Sequence, residues 1–247
     1  MTTQTMTIPK ERSETVTDNA LDIRGLTKKY GNFVALRELD MALPYGRVVG
    51  LLGENGCGKT TLLKVLAGVL HEYQGQVRIA GYAPGPESKA LVSFLPDVSF
   101  LPDRARVSYC LDLYEDFFDD FNREAAVDLI GFFGLEQSMR LKQMSKGMRE
   151  KVQIALTMSR QARIYLLDEP ISGVDPAARD VILAGMVRNL SPDALLLVAT
   201  HLVHDIEPVL DEVVMMRHGQ VLLTGSVDDL RDQHGKSIDQ LFKEVYQ

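Results

Sequence analysis

A glycine-rich segment lying between an apolar run and a segment of helical pattern constrains this chain more than any other feature. Residues 47–53 read RVVGLLG, a short and mostly apolar run of the kind that forms a buried parallel strand. Residues 60–67 carry leucines and a valine at helical spacing. The segment that joins them, GENGCGKTT at residues 53–61, matches the phosphate-binding pattern G-x-x-x-x-G-K-[ST] in full. The sequence therefore predicts a strand, a phosphate-binding loop and a helix, in that order.

Each part of this loop suits phosphate binding. Gly56 and Gly58 have no Cβ atom, so backbone N–H groups can converge on phosphate oxygens. Lys59 supplies positive charge to the outer phosphates, the helix that follows adds its positive end, and the Thr60 hydroxyl is a suitable Mg²⁺ ligand. We expect ATP to bind here. The residues expected to contact it are Gly53, Glu54, Asn55, Gly56, Cys57, Gly58, Lys59, Thr60 and Thr61.

A second apolar run, residues 163–167, ends in the acidic pair Asp168 and Glu169. This arrangement suits phosphoryl chemistry, because Asp168 can hold Mg²⁺ through water and Glu169 can act as general base on the attacking water. The alternative is that these acids only meet solvent at a strand end.

Composition limits the remaining possibilities. The chain has 247 residues, which fits one large domain or one domain with an inserted subdomain, and its net charge of −7 argues against binding nucleic acid. Cys57 and Cys110 have unrelated surroundings, so neither a disulfide nor a zinc site is expected, and a reduced cytoplasmic compartment is the simpler interpretation. No apolar run is long enough to span a membrane, and the first residues lack the pattern of a signal peptide.

The pattern along the chain divides it into three parts. We expect a disordered tail over residues 1–20, a folded domain over 21–230 whose insert at about 98–160 is helical, and a helical extension over 231–247. Further elements are expected from local pattern. They are short strands with a turn between residues 21 and 43, strands at 76–80, 90–95 and 194–200, helices at 177–190 and 237–246, and a hairpin turn at His218 and Gly219.

The phosphate loop and the acidic strand end together resemble the Walker A and Walker B motifs of ATP-binding cassette (ABC) ATPases. This resemblance extends from about residue 21 to residue 226. It implies an α/β P-loop NTPase (RecA-like) fold with a mostly parallel core, an N-terminal antiparallel β subdomain and an inserted α-helical subdomain. The subgroup it resembles is the ATP-binding subunit of small bacterial ABC exporters with a separate permease.

Other motifs fall in the order that the resemblance implies. Residues 144–148, MSKGM, resemble the LSGGQ signature and match it at Ser145 and Gly147. In the family this segment, including the position of Met148, contacts ATP held by the opposite subunit. Ser145 is also a good helix N-cap, which would explain it without any such role. Asp175 resembles the aspartate of the D-loop, and it too would begin a helix.

Two single residues complete the resemblance. His201, just after an apolar strand, matches the histidine that senses the γ-phosphate, although a lone histidine is more often structural. Tyr30 resembles the aromatic residue that stacks on adenine, the alternative being a core or turn tyrosine.

Met144, Lys146 and Met148 depart from the signature pattern, and two further residues outside it, Asp97 and Cys57, are also unusual. Asp97 stands where a glutamine usually contacts Mg²⁺ and the attacking water, and it is a candidate Mg²⁺ ligand, with Asp103 as a second candidate for that position. Cys57 lies inside the loop at a helix N-terminus, so we expect a lowered thiol pKa and inactivation by alkylating agents from which ATP protects.

The expected function is that of the ATP-hydrolysing subunit of an ABC transporter, a dimer with ATP at its interface and a separate membrane permease as partner. Lys59, Glu169 and His201 would be catalytic, with Mg²⁺ as cofactor. The alternatives are an ABC ATPase without a transport role and a nucleotide-dependent regulator with little turnover.

Overall fold

The computed structural model describes residues 19–246. The tail expected at residues 1–20 lies outside the described residues, apart from Asn19 and Ala20, which begin the first strand. In chain order the strands are β1 (Asn19–Tyr30), β2 (Phe33–Pro44), β3 (Val48–Leu52), β4 (Gln74–Ile79), β5 (Val92–Leu95), β6 (Ile164–Asp168), β7 (Leu195–Thr200), β8 (Glu212–Arg217) and β9 (Gln220–Ser226).

The helices lie mostly between and after these strands. They are α1 (Lys59–Leu66), α2 (Pro86–Leu91), α3 (Val107–Phe117), α4 (Arg123–Phe132), α5 (Lys146–Met158), α6 (Pro176–Arg188), α7 (Val203–Ile206), α8 (Val227–His234) and α9 (Ile238–Tyr246). Short 3₁₀ turns occur at Leu141–Gln143 and Glu207–Val209. None of the helices within residues 19–246 is long and apolar enough to cross a membrane.

The strands form two sheets. The smaller is antiparallel, with the order β2-β1-β4, and the larger has the order β5-β6-β7-β3-β8-β9. In the larger sheet β5, β6, β7, β3 and β8 are parallel, and only β9 pairs in the antiparallel direction. This is the α/β architecture expected from the sequence, with a mostly parallel core and an antiparallel β subdomain.

The central strands are apolar throughout because both faces of the larger sheet are covered. In β6, Ile164 and Leu166 lie in the core shared with the small sheet and α1. Tyr165 and Leu167 point the other way, into the core shared with α3, α4 and α5. Alternation along the strand therefore places the four residues that precede Asp168 in one or other of two buried clusters. Between β5 and β6 the chain forms α3, α4 and α5, which is the part of the chain expected to be helical.

Three differences from the sequence prediction have local causes. β1 and β2 are each 12 residues long rather than short strands, because their register shifts accommodate Gly25 and other irregularities without ending the pairing. Residues 86–91, assigned in part to a strand, form α2, which begins at Pro86. α8 begins at residue 227, before the extension expected from 231, because Ser226 caps it by accepting from the N–H of Asp229.

Candidate active site

The phosphate loop lies at the carboxyl edge of the larger sheet, between the end of β3 and the start of α1. β6 and β7 run parallel to β3 and end at the same edge, so the residues that follow these strands meet there. Gly56 and Gly58 have φ values of 82° and 113°, which other residues rarely adopt. A Cβ atom at Gly58 would also lie 2.7 Å from the carbonyl oxygen of Ala35, so the loop packs directly on β2.

Lys59 is buried within the loop, with 5% of its side chain exposed. Its Nζ donates hydrogen bonds to the carbonyl oxygens of Gly53 (2.6 Å) and Glu54 (3.2 Å), and it lies 3.7 Å from Oε1 of Glu169. A buried ammonium with these partners is a preorganised cation, and phosphate oxygens would compete for it with the same groups. Lys59 therefore connects the phosphate loop to the acidic end of β6.

Asp168 meets Thr60 because alternation along β6 points it towards α1. The hydroxyl of Thr60 donates to Oδ1 of Asp168 over 3.2 Å, while the fully buried Oδ2 has no hydrogen-bond partner among residues 19–246. Burial raises the pKa of Asp168 to about 6, with the charges of Asp97 and Glu169 adding to the effect and the hydrogen bond from Thr60 opposing it.

These groups fit Mg²⁺. An unpaired buried carboxylate oxygen beside a threonine hydroxyl offers the hard oxygen ligands that Mg²⁺ prefers. Within residues 19–246 there is no cluster of three or more His, Cys, Asp or Glu side chains that could hold a metal alone.

Glu169 is held by three neighbours. Its Oε1 lies 2.9 Å from Nδ1 of His201, its Oε2 accepts from the hydroxyl of Thr200 over 3.1 Å, and its backbone N–H donates to Ala199. Its φ of 51° is in the left-handed region, which is unfavourable for a residue with a side chain. The structure therefore aims this carboxylate at the end of the sheet, between His201 and Lys59.

Thr200 has a role that the sequence did not reveal. It is fully buried, and besides donating to Glu169 it accepts the N–H of Leu202 over 3.0 Å. It thereby fixes both the carboxylate and the start of the turn that carries His201. The available signal was a hydroxyl residue at the end of an otherwise apolar strand.

Asp97 and Asp103, the two candidates for the position of the usual glutamine, have different surroundings. Asp97 follows β5 and is exposed, and its charge acts on Asp168. Asp103 instead forms an ion pair with Arg149, 2.7 Å from its Nη1. Of the two, Asp97 is therefore the one whose charge acts on the Asp168 carboxylate.

Tyr30 lies at the end of β1 with 46% of its surface exposed, so it is not a core tyrosine. The ammonium group of Lys28, itself buried, lies 5.2 Å from the ring centroid and donates to the carbonyl oxygen of Glu72. A cation near the ring and an exposed remainder are compatible with stacking on a base.

The lowered pKa expected for the Cys57 thiol was wrong. Its thiol is buried among apolar residues, and a Cβ at Gly53 would lie 2.5 Å from Sγ. Burial raises the pKa of the Cys57 thiol, and this outweighs the opposing effects of Lys59 and of backbone N–H groups. The helix end is present, but the side chain is turned away from solvent, so rapid alkylation is no longer expected.

The signature segment lies on a separate surface. Ser145 is exposed and caps α5, accepting from the N–H of Met148 over 3.2 Å. Gly147 packs on Val174, a Cβ there lying 3.6 Å from Cγ1. The exposed Asp175 caps α6 by accepting from Ala177 over 3.0 Å. Both expected helix caps are therefore present, and Gly147 joins the two turns into one exposed surface.

Comparison with known proteins agrees with this geometry. Residues 36–172 match the protein family described as "ABC transporter". The chain is 30% identical over 235 residues to "Uncharacterized ABC transporter ATP-binding protein YxlF" of Bacillus subtilis (strain 168), a match that covers 88% of this chain and 75% of that protein. It is 26% identical over 223 residues to "Nod factor export ATP-binding protein I" of Rhizobium sp. (strain N33), covering 87% of this chain and 73% of that protein.

A solved structure has the same fold. "Structure of ATP binding subunit of ABC transporter" superposes with a TM-score of 0.82 at 28% identity, covering 92% of this chain and all of the other.

Proposed function

Because this chain belongs to the ABC transporter family and is similar throughout to its ATP-binding subunits, we propose that it hydrolyses ATP to drive a separate membrane permease. One observation carries this proposal most directly. Lys59, Thr60, Asp168 and Glu169 come together at the carboxyl edge of the sheet, where a cation, a hydroxyl and two carboxylates surround the mouth of the phosphate loop.

The residues have distinct roles in the proposed reaction. Backbone N–H groups of residues 53–61 and the ammonium group of Lys59 bind and orient the phosphates. Thr60 and Asp168 would hold Mg²⁺, with Asp97, whose charge acts on Asp168, as a further ligand, and the ion would supply charge neutralisation during phosphoryl transfer. Tyr30 stacks on the adenine.

Glu169 is the general base. Its carboxylate accepts a proton from the attacking water, while His201 and Thr200 keep it in position. The contact between His201 and Glu169 also allows the histidine to respond to the terminal phosphate. Most of the rate enhancement comes from positioning and charge stabilisation, as is general for phosphoryl transfer.

The site is completed by a second ATP-binding subunit. Ser145 and Asp175 are exposed helix caps, and Gly147 and Met148 beside them are partly exposed. We infer that these four residues contact ATP held by the opposite subunit. Homodimers and heterodimers both satisfy this arrangement.

The direction of transport is proposed to be export, supported by the relative named for Nod factor export. The subunit would then lie at the cytoplasmic face of the membrane, held there by the permease. Nucleic acid is not a proposed partner, in accord with the net charge of −7.

The decisive experiment compares Mg²⁺-dependent ATP turnover of the wild type with that of Glu169→Gln. Loss of the base should reduce turnover by about 100-fold or more while ATP remains bound. If neither protein hydrolyses ATP although both bind it tightly, the result would instead favour the alternative of a nucleotide-dependent regulator with little turnover. The matched control is Glu212→Gln at the opposite end of the same sheet, which should leave turnover unchanged. Co-purification of this subunit with a membrane protein would test the proposal that its partner is a separate permease.

A further inference from the structure

We propose that Tyr246, on the helix α9, is a positioning residue for the phosphate loop. This rests on the proposed function, since it concerns the same ATP site. No motif of the site includes this tyrosine, which lies 194 residues along the chain from its contact at Leu52.

The helix α9 is anchored by its apolar face. Ile238 and Leu241 are buried in the core beside the sheet, and Phe242 packs against the same cluster. The ring of Phe242 lies 4.3 Å from that of Tyr246, centroid to centroid. This stacking fixes the direction of the Tyr246 side chain, which extends towards the carboxyl edge of the sheet.

The hydroxyl of Tyr246 reaches the ends of two adjacent parallel strands. It lies 2.5 Å from the carbonyl oxygen of Met216 in β8 and 3.4 Å from that of Leu52, the last residue of β3. A phenol has one proton, so it donates fully to one carbonyl at a time, and Met216 is the closer acceptor. The hydroxyl therefore links the strand that delivers the phosphate loop to its neighbour.

The same hydroxyl lies against the first residue of the loop. A Cβ atom on Gly53 would lie 3.4 Å from Oη of Tyr246, 2.6 Å from the carbonyl oxygen of Met216 and 2.5 Å from Sγ of Cys57. The underside of the loop is thus closed by direct contact, while Lys59 holds the carbonyl oxygen of Gly53 from the other side. In such close packing a missing group loosens its neighbours.

The other end of α9 is tied to the segment that follows His201. Glu207 comes directly after α7 and accepts the N–H groups of Ile238 (2.9 Å) and Asp239 (3.1 Å). It also pairs with Arg231 over 2.7 Å. The helix therefore contacts the phosphate loop at one end and the chain beyond His201 at the other, which makes its position relevant to both halves of the site.

The surroundings keep the phenol a hydrogen-bond donor. Burial raises the pKa of Tyr246, and the nearby Cys57 and Glu54 add to this, against the opposing effect of Arg217. The group remains protonated throughout the pH range in which the protein would work.

The test is Tyr246→Phe, which removes the hydroxyl and keeps the ring. ATP binding is measured by titration calorimetry in EDTA, and KM and kcat are measured separately with Mg²⁺. Loss of one buried hydrogen bond at the loop should raise Kd and KM for ATP by about threefold to tenfold. kcat should stay within about twofold, because the lost interaction serves bound ATP and the transition state alike. Amide hydrogen exchange of residues 52–61 should become faster.

The control is Tyr109→Phe, a tyrosine on α3 that is 53% exposed. It should change none of these quantities. Unchanged Kd, KM and loop exchange in Tyr246→Phe would overturn the inference, as would a lower Tm with normal ATP binding, which is the behaviour of a merely structural tyrosine. If the wild type itself binds no ATP, the proposed function fails and the inference with it. If the wild type binds ATP and the variant binds it equally tightly, only the inference fails.

Discussion

Two surfaces of this chain differ in how far along the sequence the hydrogen bonds of their hydroxyl and carboxylate groups reach. They are the phosphate-loop surface (Lys59, Thr60, Asp168 and Glu169) and the signature surface (Ser145, Gly147 and Asp175). On the first, the contacts join residues far apart in sequence: Thr60 and Asp168 are 108 residues apart, and Thr200 reaches Glu169 across 31. On the second, Ser145 contacts Met148 three residues away and Asp175 contacts Ala177 two residues away.

This difference indicates what each surface needs. The phosphate-loop surface is assembled by the fold, since its side chains already have tertiary partners. Within the part of the chain that the structure describes, the side-chain hydrogen bonds of Ser145 and Asp175 serve only their own helix starts, and both residues are exposed. The first surface should therefore work as a binding site in one chain, and the second should acquire its function against a partner.

The largest effect should follow from breaking the phosphate-loop surface itself. Lys59→Ala removes the buried cation, so transition-state charge on the phosphates loses a preorganised partner and Glu169 loses its ion pair. Turnover should fall on the order of 100-fold to 1,000-fold, measured by phosphate release.

The control for this variant is Lys64→Ala in the last turn of the same helix. It removes a similar charge outside the loop and should keep turnover near that of the wild type. Comparable activity in Lys59→Ala and Lys64→Ala would contradict the assignment of the loop.

An intermediate effect should follow from breaking the signature surface. Ser145→Ala should reduce turnover by about tenfold, the magnitude of one hydrogen bond to a charged group, because ATP held by the partner loses a contact. ATP affinity of the isolated subunit, measured by calorimetry, should be unchanged, in contrast to Lys59→Ala.

A matched variant separates this role from helix capping. Asn122 caps α4 as Ser145 caps α5, with the N–H of Ala125 3.0 Å away. Ser145→Ala and Asn122→Ala should each lose about 1 kcal/mol of unfolding free energy. Only the first should lose turnover, and equal turnover in both would reduce Ser145 to a cap.

The smallest effect concerns pH and the Mg²⁺ ligand on the phosphate-loop surface. Since the pKa of Asp168 is raised to about 6, the carboxyl of the metal-free protein becomes mostly protonated below that pH, and Mg²⁺ must then displace the proton. Mg²⁺ binding in the presence of ATP should weaken about fourfold between pH 7 and pH 5.5 because the ionised fraction falls by that factor.

The effect of pH on folding stability has the opposite sign to its effect on Mg²⁺ binding: binding strengthens as pH rises, whereas the stability contributed by Asp168 falls. A carboxyl whose folded pKa exceeds its unfolded value destabilises the metal-free protein as pH rises through that interval. Asp168→Asn should remove the contribution of this carboxyl to the pH dependence of thermal unfolding. Any pH dependence of Mg²⁺ binding that persists in Asp168→Asn comes from the phosphates of ATP. If it is as large as in the wild type, Asp168 does not have the proposed role.

Much of the fold was accessible from sequence because strong patterns marked it. The apolar runs at β3, β6 and β7 lie between two cores and therefore have no polar face to confuse the pattern. Helix α2 was missed because its six residues are too few for a period to appear. The lengths of β1 and β2 were missed because register shifts interrupt the alternation without interrupting the pairing.

The site was predictable where a residue belongs to a motif and obscure where its role depends on distant neighbours. The position of Lys59 follows from the start of α1, and that of Asp168 from the end of β6. Thr200 became visible only through its contact with Glu169, and Tyr246 only through a helix that packs back on the loop. Cys57 belongs to a motif, yet its raised pKa was not predicted. Its position beside a helix end does not determine the direction of its side chain, which is buried.

The alternation of β6 between two cores has a consequence for how this protein can vary. Inserting or deleting one residue within Ile164–Asp168 would exchange the faces of every later side chain, sending Asp168 away from Thr60 and into the other cluster. This strand should therefore tolerate the substitution of a residue far better than the insertion or deletion of one. The segments between α3, α4 and α5 lie outside the sheet and carry no such counting constraint, so variation in length should accumulate there.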